Sequence, residues 1–300
     1  SSANSSGYRD KLIFVHGKEK RNGVTGFKVM NMTLQNAGGE CLRLRYFVTG
    51  AEIAYNTIRN CGVHDFVFNN DGKNGEGIYI GTSNKQWNDG KNPTSDPDET
   101  RDNNVHHNDI DTQGNECVDI KEGATANIIE YNTCRGQKDP ESGGFDSRGD
   151  GNIFRYNSVI DSIGAGLRLG GWLEQNIQYG KNNDVYGNTI EDNKGGGIRF
   201  QVIPQGKVCD NQFSGNLGGN AVGTYASKFN PANPCVGNTP APPAMSTTLA
   251  NSNTLNAHSN NFSNGYEPAR LWDGCYEGIL YDSTTCTAGG RDIASFWLEF

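Results

Sequence analysis

The 300-residue sequence lacks the features that mark several common protein classes. No apolar run approaches the roughly 20 residues of a membrane-spanning helix, so no membrane span is predicted. The formal net charge of -8 argues against nucleic acid as a partner. No CxxC, HExxH or Gly-x-Ser-x-Gly sequence occurs, so the chain offers neither a familiar zinc site nor a serine-hydrolase nucleophile.

A five-residue pattern of alternating residues does recur along the chain. It occupies residues 41–45, 77–81, 117–121, 144–148, 166–170 and 197–201. Its second and fourth positions are apolar, except for Ser147. Strict alternation predicts a strand with one buried face. The residues predicted to point inward are Leu42, Leu44, Ile78, Ile80, Val118, Ile120, Phe145, Leu167, Leu169, Ile198 and Phe200.

A second repeat is an apolar residue followed three places later by asparagine, which can bond through its amide to asparagines above and below. It ends at Asn56, Asn108, Asn132, Asn157, Asn188 and Asn211. Their spacing is 23 to 31 residues, apart from a 52-residue gap before Asn108 that we interpret as two turns plus an insertion. Such a period indicates a solenoid, and period-two alternation without a leucine ladder excludes α-solenoids and leucine-rich repeats. We predict an all-β right-handed parallel β-helix over residues 1–238.

The remaining segments differ in character. Residues 82–104 interrupt the repeat, so we predict either a loop that overhangs the strands at 77–81 and 117–121 or a mobile decoration. Residues 239–248 are a proline-rich linker. Residues 267–274, Glu-Pro-Ala-Arg-Leu-Trp-Asp-Gly, and the closing Phe-Trp-Leu-Glu-Phe resemble the opening of a discoidin-type, galactose-binding-like β-sandwich. The resemblance implies an incomplete carbohydrate-binding segment, partly β-sandwich-like, over residues 249–300.

Eight cysteines and three N-glycosylation sequons favour a secreted, extracellular eukaryotic glycoprotein. Among 105 possible connectivities, the sequence-local one pairs Cys41 with Cys61, Cys117 with Cys134, Cys209 with Cys235, and Cys275 with Cys286. We favour the Cys275–Cys286 pair, because the other three require two positions of one coil to lie on the same wall. The sequons begin at Asn4, Asn31 and Asn261.

The polar positions of the alternating pattern form the outward set. It contains Arg43, Arg45, Tyr79, Asp119, Lys121, Asp146, Arg148, Arg168, Arg199 and Gln201. One interpretation is a solvated ladder of alternating charges, in which each ion pair contributes about 0–1 kcal/mol. The other is a binding face for an acidic polysaccharide, with the substrate contacts made by Asp119, Asp146, Arg168, Arg199 and Tyr79.

Three short matches give this face a sharper interpretation. Glu116 precedes Lys121 by five places, Arg148 lies on the following strand, and Arg168 stands in a Gly-Leu-Arg-Leu sequence. These residues resemble the chondroitinase B and alginate lyase family of β-helix polysaccharide lyases. The resemblance implies β-elimination of a uronate glycan, with Lys121 as the base and Arg148 as the proton donor. Arg148 would lower the pKa of Lys121, whereas the neighbouring aspartates would raise it.

The same family binds Ca²⁺ through two acidic residues before the lysine and an asparagine one coil earlier. Glu116 matches one acidic position, but Gly114 stands at the other. Glu40, Glu76 and Glu116 each precede a repeated strand, so their like charges would stack on successive coils. Stacked carboxylates repel unless a cation or a proton lies between them. We predict Ca²⁺ between Glu76 and Glu116; the alternative is that the turns direct both side chains into water.

Two other functions fit the sequence. Asp119 and Asp146 on adjacent coils would lie about 5 Å apart, near the separation of a retaining glycosidase. A non-catalytic protein is the main alternative: an extracellular structural or adhesive glycoprotein that self-associates, for example as a filament subunit. A lyase is expected to have an open groove over Lys121 and Arg148. In a filament subunit that face would be covered by another chain.

Overall fold

The computed structural model describes residues 7–69, 72–236, 253–256 and 296–299. Nearly all regular structure in these residues is β, arranged as three long parallel sheets. The chain passes through the sheets in turn, and we call each circuit a coil. The protein is a right-handed parallel β-helix, as the sequence predicts. No helix in the described parts is both long and apolar enough to cross a membrane.

Each coil contributes one strand to each sheet. The first sheet contains Ile13–His16, Leu42–Arg45, Ile78–Ile80, Val118–Ile120, Gly143–Ser147, Ala165–Leu169, Ile198–Phe200, Ala221–Val222 and, beside the first of these, Phe296–Glu299. The second contains Lys28–Met30, Glu52–Ala54, Asn104–His106, Ile128–Glu130, Ile153–Arg155, Asp184–Tyr186 and Val208–Cys209. The third contains Met32–Gln35, Thr57–Arg59, Asp109–Asp111, Thr133–Arg135, Ser158–Ile160, Thr189–Glu191, Gln212–Ser214 and, beside the first, Asn253–Asn256.

Short helices and a hairpin decorate the coils. A π-helix spans Val63–Val67, and 3-10 helices span Asn84–Gln86 and Ala226–Lys228. An antiparallel hairpin joins Leu173–Glu174 to Ile177–Gln178. The π-helix, the first 3-10 helix and the hairpin lie in connections between strands of the three sheets, so the parallel stack continues past them. Ala226–Lys228 instead follows the strand at the end of the first sheet.

The apolar core lies between the three sheets and confirms the predicted inward face. All eleven inward residues named above are at most 1% exposed. Inward residues of the other two sheets, such as Ile53, Phe154 and Ile190, complete the same cluster. Period-two alternation is sufficient here because each sheet has one face toward a narrow shared core.

Asparagines form a continuous internal ladder at the corner between the second and third sheets. The amide nitrogens of Asn56, Asn108, Asn132, Asn157 and Asn188 each donate to the side-chain oxygen of the next asparagine at 2.9–3.1 Å. The left-handed backbone falls on the residue before each asparagine, for example Tyr55 (φ 57°) and Tyr131 (φ 54°). This corner turns the asparagine side chain inward, where it bonds along the stack.

The 52-residue gap is one coil, and the prediction of two turns is wrong. Ile53 pairs directly with Val105, so the strands on either side of the gap are neighbours. Two insertions, residues 62–76 and 82–100, enlarge this single coil. Residues 82–100 pack on the helix: Trp87 is only 3% exposed, and Asp98 accepts hydrogen bonds from the backbone N–H groups of Tyr46 and Phe47.

Three disulfides cross-link the described residues. They join Cys41 to Cys61, Cys117 to Cys134 and Cys209 to Cys235, with Cα–Cα distances of 5.5, 5.8 and 5.0 Å. The reservation about these pairs was wrong, because the first two lie where the third sheet meets the first and their side chains converge. The described residues do not include Cys275, Cys286, Asn4 or Asn261. Asn31 lies half-buried at the first-coil corner.

Residues 239–248 and most of 249–300 also lie outside the described residues. The two described strands of this region, Asn253–Asn256 and Phe296–Glu299, pair in parallel with Met32–Gln35 and Ile13–His16. The linker and the discoidin-like segment therefore stay predictions.

Candidate active site

Two columns of side chains run along the outer face of the first sheet. The third positions of the pattern align in register as Arg43, Tyr79, Asp119, Asp146, Arg168 and Arg199. The fifth positions align beside them as Arg45, Gly81, Lys121, Arg148, Gly170 and Gln201. Parallel pairing without a register slip therefore brings Lys121 and Arg148 next to each other, with Asp119 and Asp146 alongside.

These columns face away from the apolar core, but most of them are buried. The side chains of Asp119 and Asp146 are 0% exposed, that of Lys121 is 5% exposed, and those of Arg168 and Arg148 are 14% and 20% exposed. The interpretation as a solvated ladder of charges is wrong here. The charged side chains shield one another from solvent, and flanking segments of the chain pack beside them. Little of the Lys121 side chain is therefore accessible to solvent.

Alternating charges link the middle of the two columns. The Lys121 ammonium pairs with Asp119 and lies 4.6 Å from the centre of the Tyr79 ring. Arg148 lies between the two aspartates, 3.6 Å from an oxygen of Asp119 and 3.5 Å from one of Asp146. Arg168 binds Asp146 through two guanidinium nitrogens. Each buried charge thus has an opposite charge beside it.

The balance of charges keeps Lys121 protonated. Burial and the Arg148 charge lower the pKa of Lys121, but Asp119, Tyr79 and Glu116 outweigh them, so this pKa is raised above its ordinary value. For Asp146, burial raises the pKa, but Arg168 and the other cations hold it below its usual range. Asp146 is therefore ionised at neutral pH and cannot serve as the general acid of a glycosidase.

Three buried carboxylates lie beside this charge network. Glu76, Glu116 and Asp119 each offer an oxygen within 4.8 Å of the others. One oxygen of Glu116 and both oxygens of Asp119 have no hydrogen-bond partner among the described residues, although one of the Asp119 oxygens forms the ion pair with Lys121. Burial, together with the charge of Glu40, raises the pKa of Glu76 to about 7. Burial, together with the charge of Asp119, raises that of Glu116 well above its usual range.

This acidic cluster fits a hard divalent cation. In proteins, Ca²⁺ is bound by several oxygen ligands, many of them carboxylates. The three carboxylates of this cluster lie close together, are buried, and include oxygens that accept no hydrogen bond from the described residues. The side chains are not directed into water, which was the alternative prediction. Glu40 stands apart, since it pairs with Lys11 and Arg43. The sequence analysis placed Asp119 with the substrate contacts or with Asp146 as a glycosidase carboxylate, and not with the cation ligands. Alternation along the strand does not reveal that the turn before it brings Glu116 to the same side as Asp119.

Two insertions meet over the edge of the candidate site. Residues 82–100 leave after Gly81, and the hairpin of residues 171–180 leaves after Gly170. They touch where Asn84 donates to Glu174 at 3.1 Å and where the rings of Trp87 and Tyr179 lie 5.8 Å apart. This loop–hairpin bridge spans the two intervening coils, those of Lys121 and Arg148. The sequence analysis missed the hairpin, although the 31-residue spacing before Asn188 was a signal of extra length.

Arginines of the outward set also hold the neighbouring segments in place. Arg43 donates to Gln86 at 2.9 Å, and Arg45 donates to Asn92 at 2.6 Å, which fixes the 82–100 insertion. At the other end, Arg168 and Arg199 each donate to the backbone oxygen of Glu141 at 2.8 Å. Arg199 is therefore set apart from the Lys121 and Arg148 pair.

Comparison with known proteins identifies the architecture. No protein-family model and no curated protein matches the sequence. The structure is similar to the crystal structure of alginate lyase from Paenibacillus sp. str. FPU-7, with a TM-score of 0.53 and 16% sequence identity. The match covers 74% of this chain and 72% of that one. The fold is shared with an alginate lyase. At this level of identity the similarity concerns the fold, and the side chains must carry the functional argument.

Proposed function

We propose that this protein is a secreted polysaccharide lyase that cleaves a uronate-containing glycan by β-elimination. The observation that carries the proposal is the position of Lys121 beside Arg148 on adjacent coils, next to the Glu76, Glu116 and Asp119 cluster. The shared fold with an alginate lyase supports it. The three disulfides support export, because such bonds persist in oxidising compartments.

The reaction requires a base, a group that stabilises the departing oxygen, and groups that position the sugar. This set of residues can supply all three. A base removes the proton next to the uronate carboxylate, the bond to the glycosidic oxygen breaks, and a carbon–carbon double bond forms. Lys121 in its neutral form is the base. Burial lowers the pKa of Arg148, but Asp119 and Asp146 outweigh it and raise this pKa well above the ordinary value. Arg148 therefore keeps its proton and stabilises the departing oxygen as a charged hydrogen-bond donor. The departing oxygen takes a proton from water, and Lys121 returns the proton that it removed to solvent. Arg168, Asp146 and Tyr79 position the sugar.

The acidic cluster controls how readily Lys121 loses its proton. Asp119 and Glu116 hold the proton on Lys121 in the free protein. Glu76, Glu116 and Asp119 would be the ligands of Ca²⁺, and the bound ion would supply positive charge that offsets theirs. Arg148 and the divalent charge would then both favour the neutral amine.

The decisive experiment is ultraviolet absorbance of new unsaturated uronate ends. Alginate, chondroitin, dermatan and pectate are incubated with the protein and Ca²⁺, in parallel with Lys121→Ala. We expect absorbance to rise with the wild type on at least one polymer and to stay flat with Lys121→Ala. Lys194→Ala, a half-exposed lysine paired with Asp161, is the matched control and should behave as the wild type. A Lys121→Ala protein that is as active as the control would refute the assignment of the base.

A non-catalytic glycan-binding or structural role is the second candidate. The observation that favours it is the near-complete burial of Lys121 in its ion pair with Asp119. Under this proposal the face binds an acidic glycan, or a neighbouring copy, without cleaving it. Flat absorbance on the whole panel, combined with concentration-dependent assembly in analytical ultracentrifugation, would favour this role over the lyase.

A further inference from the structure

The hairpin of residues 171–180 carries an unusual concentration of exposed apolar side chains. Trp172 is 52% exposed, Leu173 is 64% exposed and Ile177 is 50% exposed. Trp87, the other tryptophan whose side chain is described, is buried. Exposed apolar groups gathered beside a functional site are a common feature of binding surfaces. The hairpin is therefore a candidate contact for the ligand of the neighbouring site.

A cation from the other insertion is placed against this tryptophan. The ammonium of Lys85 lies 5.2 Å from the centre of the Trp172 ring. Lys85 belongs to the 3-10 helix Asn84–Gln86, and Trp172 immediately precedes the first hairpin strand. An aromatic surface and a positive charge thus come together from two separate insertions, and about half of the tryptophan stays open to solvent.

The backbone around Trp172 is held in place. The Gln178 side chain donates to the backbone oxygens of Gly171 and Tyr179 at 3.0 and 2.8 Å, and the Tyr179 N–H donates to the oxygen of Trp172. Asn84 ties the hairpin to the 82–100 insertion through Glu174. A ligand that contacts the ring would meet a surface that is already ordered, which reduces the entropy lost on binding.

The position of the pair relates it to the candidate active site. Lys85 lies four residues after Gly81, and Trp172 lies two residues after Gly170. Gly81 and Gly170 flank Lys121 and Arg148 in the same column. The Lys85–Trp172 contact therefore lies alongside the coils that carry the proposed base and its neighbouring arginine.

We propose that Trp172 and Lys85 form an additional sugar subsite that holds an acidic residue of the same glycan chain beyond the point of cleavage. The apolar C–H face of a pyranose ring packs on the indole, and its carboxylate or sulfate pairs with the Lys85 ammonium. This inference rests on the proposed function, because it concerns the same acidic glycan. It adds a specific prediction: the protein prefers glycans long enough to reach from Lys121 to Trp172.

The test measures binding directly, independently of turnover. Affinity gel electrophoresis with alginate or pectate in the gel compares the wild type with Trp172→Ala, Lys85→Met and Trp172→Tyr, and is repeated in a Lys121→Ala background to prevent cleavage. We expect the affinity to fall at least fivefold for Trp172→Ala and for Lys85→Met. Trp172→Tyr, which keeps an aromatic face, should retain most of the binding. The control is Leu217→Ala, at another exposed apolar residue located in the last coil.

The outcomes separate the subsite from the function itself. If the wild type binds acidic polymers and Trp172→Ala binds them equally well, the subsite is refuted and the proposed function stands. If the wild type binds no acidic polymer, both are refuted. If Trp172→Ala loses binding but Lys85→Met does not, the preference for an acidic sugar is refuted. Thermal unfolding of each variant shows whether lost binding reflects lost structure, and Trp172→Tyr tests the ring if Trp172→Ala does not fold.

Discussion

Lys121 is the residue at which the opposing charges of the candidate site meet. The sequence indicates that Arg148 lowers the pKa of Lys121 and that Asp119 raises it. The net shift of this pKa depends on distances and on burial. Lys121 pairs closely with Asp119, and Arg148 lies 3.6 Å from the same carboxylate, in a site where these three side chains are at most 20% exposed. Sequence periodicity places these residues in adjacent columns correctly. It does not give the depth of the site, which decides the protonation state.

The raised pKa of Lys121 predicts an alkaline pH profile for the lyase reaction. The neutral amine is the active form of the base, so kcat/KM should increase about tenfold per pH unit and still be rising at about pH 10. Asp119→Asn removes the carboxylate closest to the ammonium and should shift the rise to lower pH. The measurement is initial rate against pH at fixed ionic strength and without added Ca²⁺, because a bound ion would lower the pKa of Lys121. A plateau already reached at pH 7 in the wild type would contradict the role of Lys121 as a base with a raised pKa.

Glu76 gives a second prediction, which concerns stability. Its pKa is raised from 4.5 to about 7 in the folded protein. A carboxyl group with a raised pKa binds more protons in the folded state than in the unfolded state, so the free energy of unfolding falls as pH rises from about 4.5 to about 7. Since one pKa unit corresponds to about 1.4 kcal/mol, the loss is on the order of 3 kcal/mol. Urea unfolding at pH 4.5 and pH 8 should show this decline.

Two comparisons make the assignment to Glu76 specific. Glu76→Gln cannot ionise at this position, so its unfolding free energy should fall less over the same pH range. Ca²⁺ should raise the melting temperature at pH 8 and have much less effect at pH 5, where protons compete for the cluster. Equal declines for the wild type and for Glu76→Gln would show that other groups cause the pH dependence.

At the scale of the structural element, the asparagine corner is the most regular feature. The sequence predicts the ladder because every copy repeats the same apolar-x-x-Asn spacing. It does not predict which residue takes the left-handed backbone, since both asparagine and the residue before it are compatible with a turn. The structure assigns that conformation to the preceding residue, which leaves the asparagine amide free to bond along the stack.

Because of its place in the ladder, we expect Asn132 to contribute far more to the free energy of unfolding than an ordinary polar residue. Its amide nitrogen donates to Val105, Glu130 and Asn157, and its oxygen accepts from Asn108. Asn132→Ala would leave buried groups on two neighbouring coils without partners, at about 1–3 kcal/mol for each, so we expect a loss of at least about 3 kcal/mol. Guanidinium unfolding measures it.

The residue beside Asn132 supplies the control for this prediction. The Tyr131 hydroxyl is buried and has no hydrogen-bond partner among the residues that the structure describes, so Tyr131→Phe should change the unfolding free energy by less than about 0.5 kcal/mol. A loss for Asn132→Ala no larger than that of Tyr131→Phe would show that the ladder contributes little to stability.

At the scale of the whole molecule, the contact between the two insertions is the part of the candidate site that the sequence could not predict. In a solenoid each coil contacts its neighbours, so local periodicity determines the stack of coils. The loop–hairpin bridge breaks this rule, because Asn84 and Glu174 are 90 residues apart and lie on insertions that follow no repeat. The 31-residue coil before Asn188 indicates extra length, but nothing in its sequence indicates that it meets residues 82–100.

The same architecture makes the C-terminal end of the stack its weak point. Residues 225–236 follow the last strands and cover them: Phe229 stacks on Phe200 with ring centres 4.0 Å apart, and the Pro231 oxygen accepts from Asn211. The Cys209–Cys235 disulfide ties this cover to the last coil. Because interior coils have a neighbour on each side, local unfolding should begin at this end, where residues 225–236 detach from the last coil.

Removal of that disulfide should therefore loosen only one end of the helix. In the Cys209→Ala, Cys235→Ala double variant we expect amide hydrogen exchange to accelerate in residues 208–222, while residues 118–147 stay as protected as in the wild type. The central Cys117–Cys134 bond is intact in this variant and continues to cross-link its own coil. Exchange followed by mass spectrometry distinguishes the two regions. Equal acceleration throughout the helix would show that the stack opens as one cooperative unit, contrary to coil-by-coil stability.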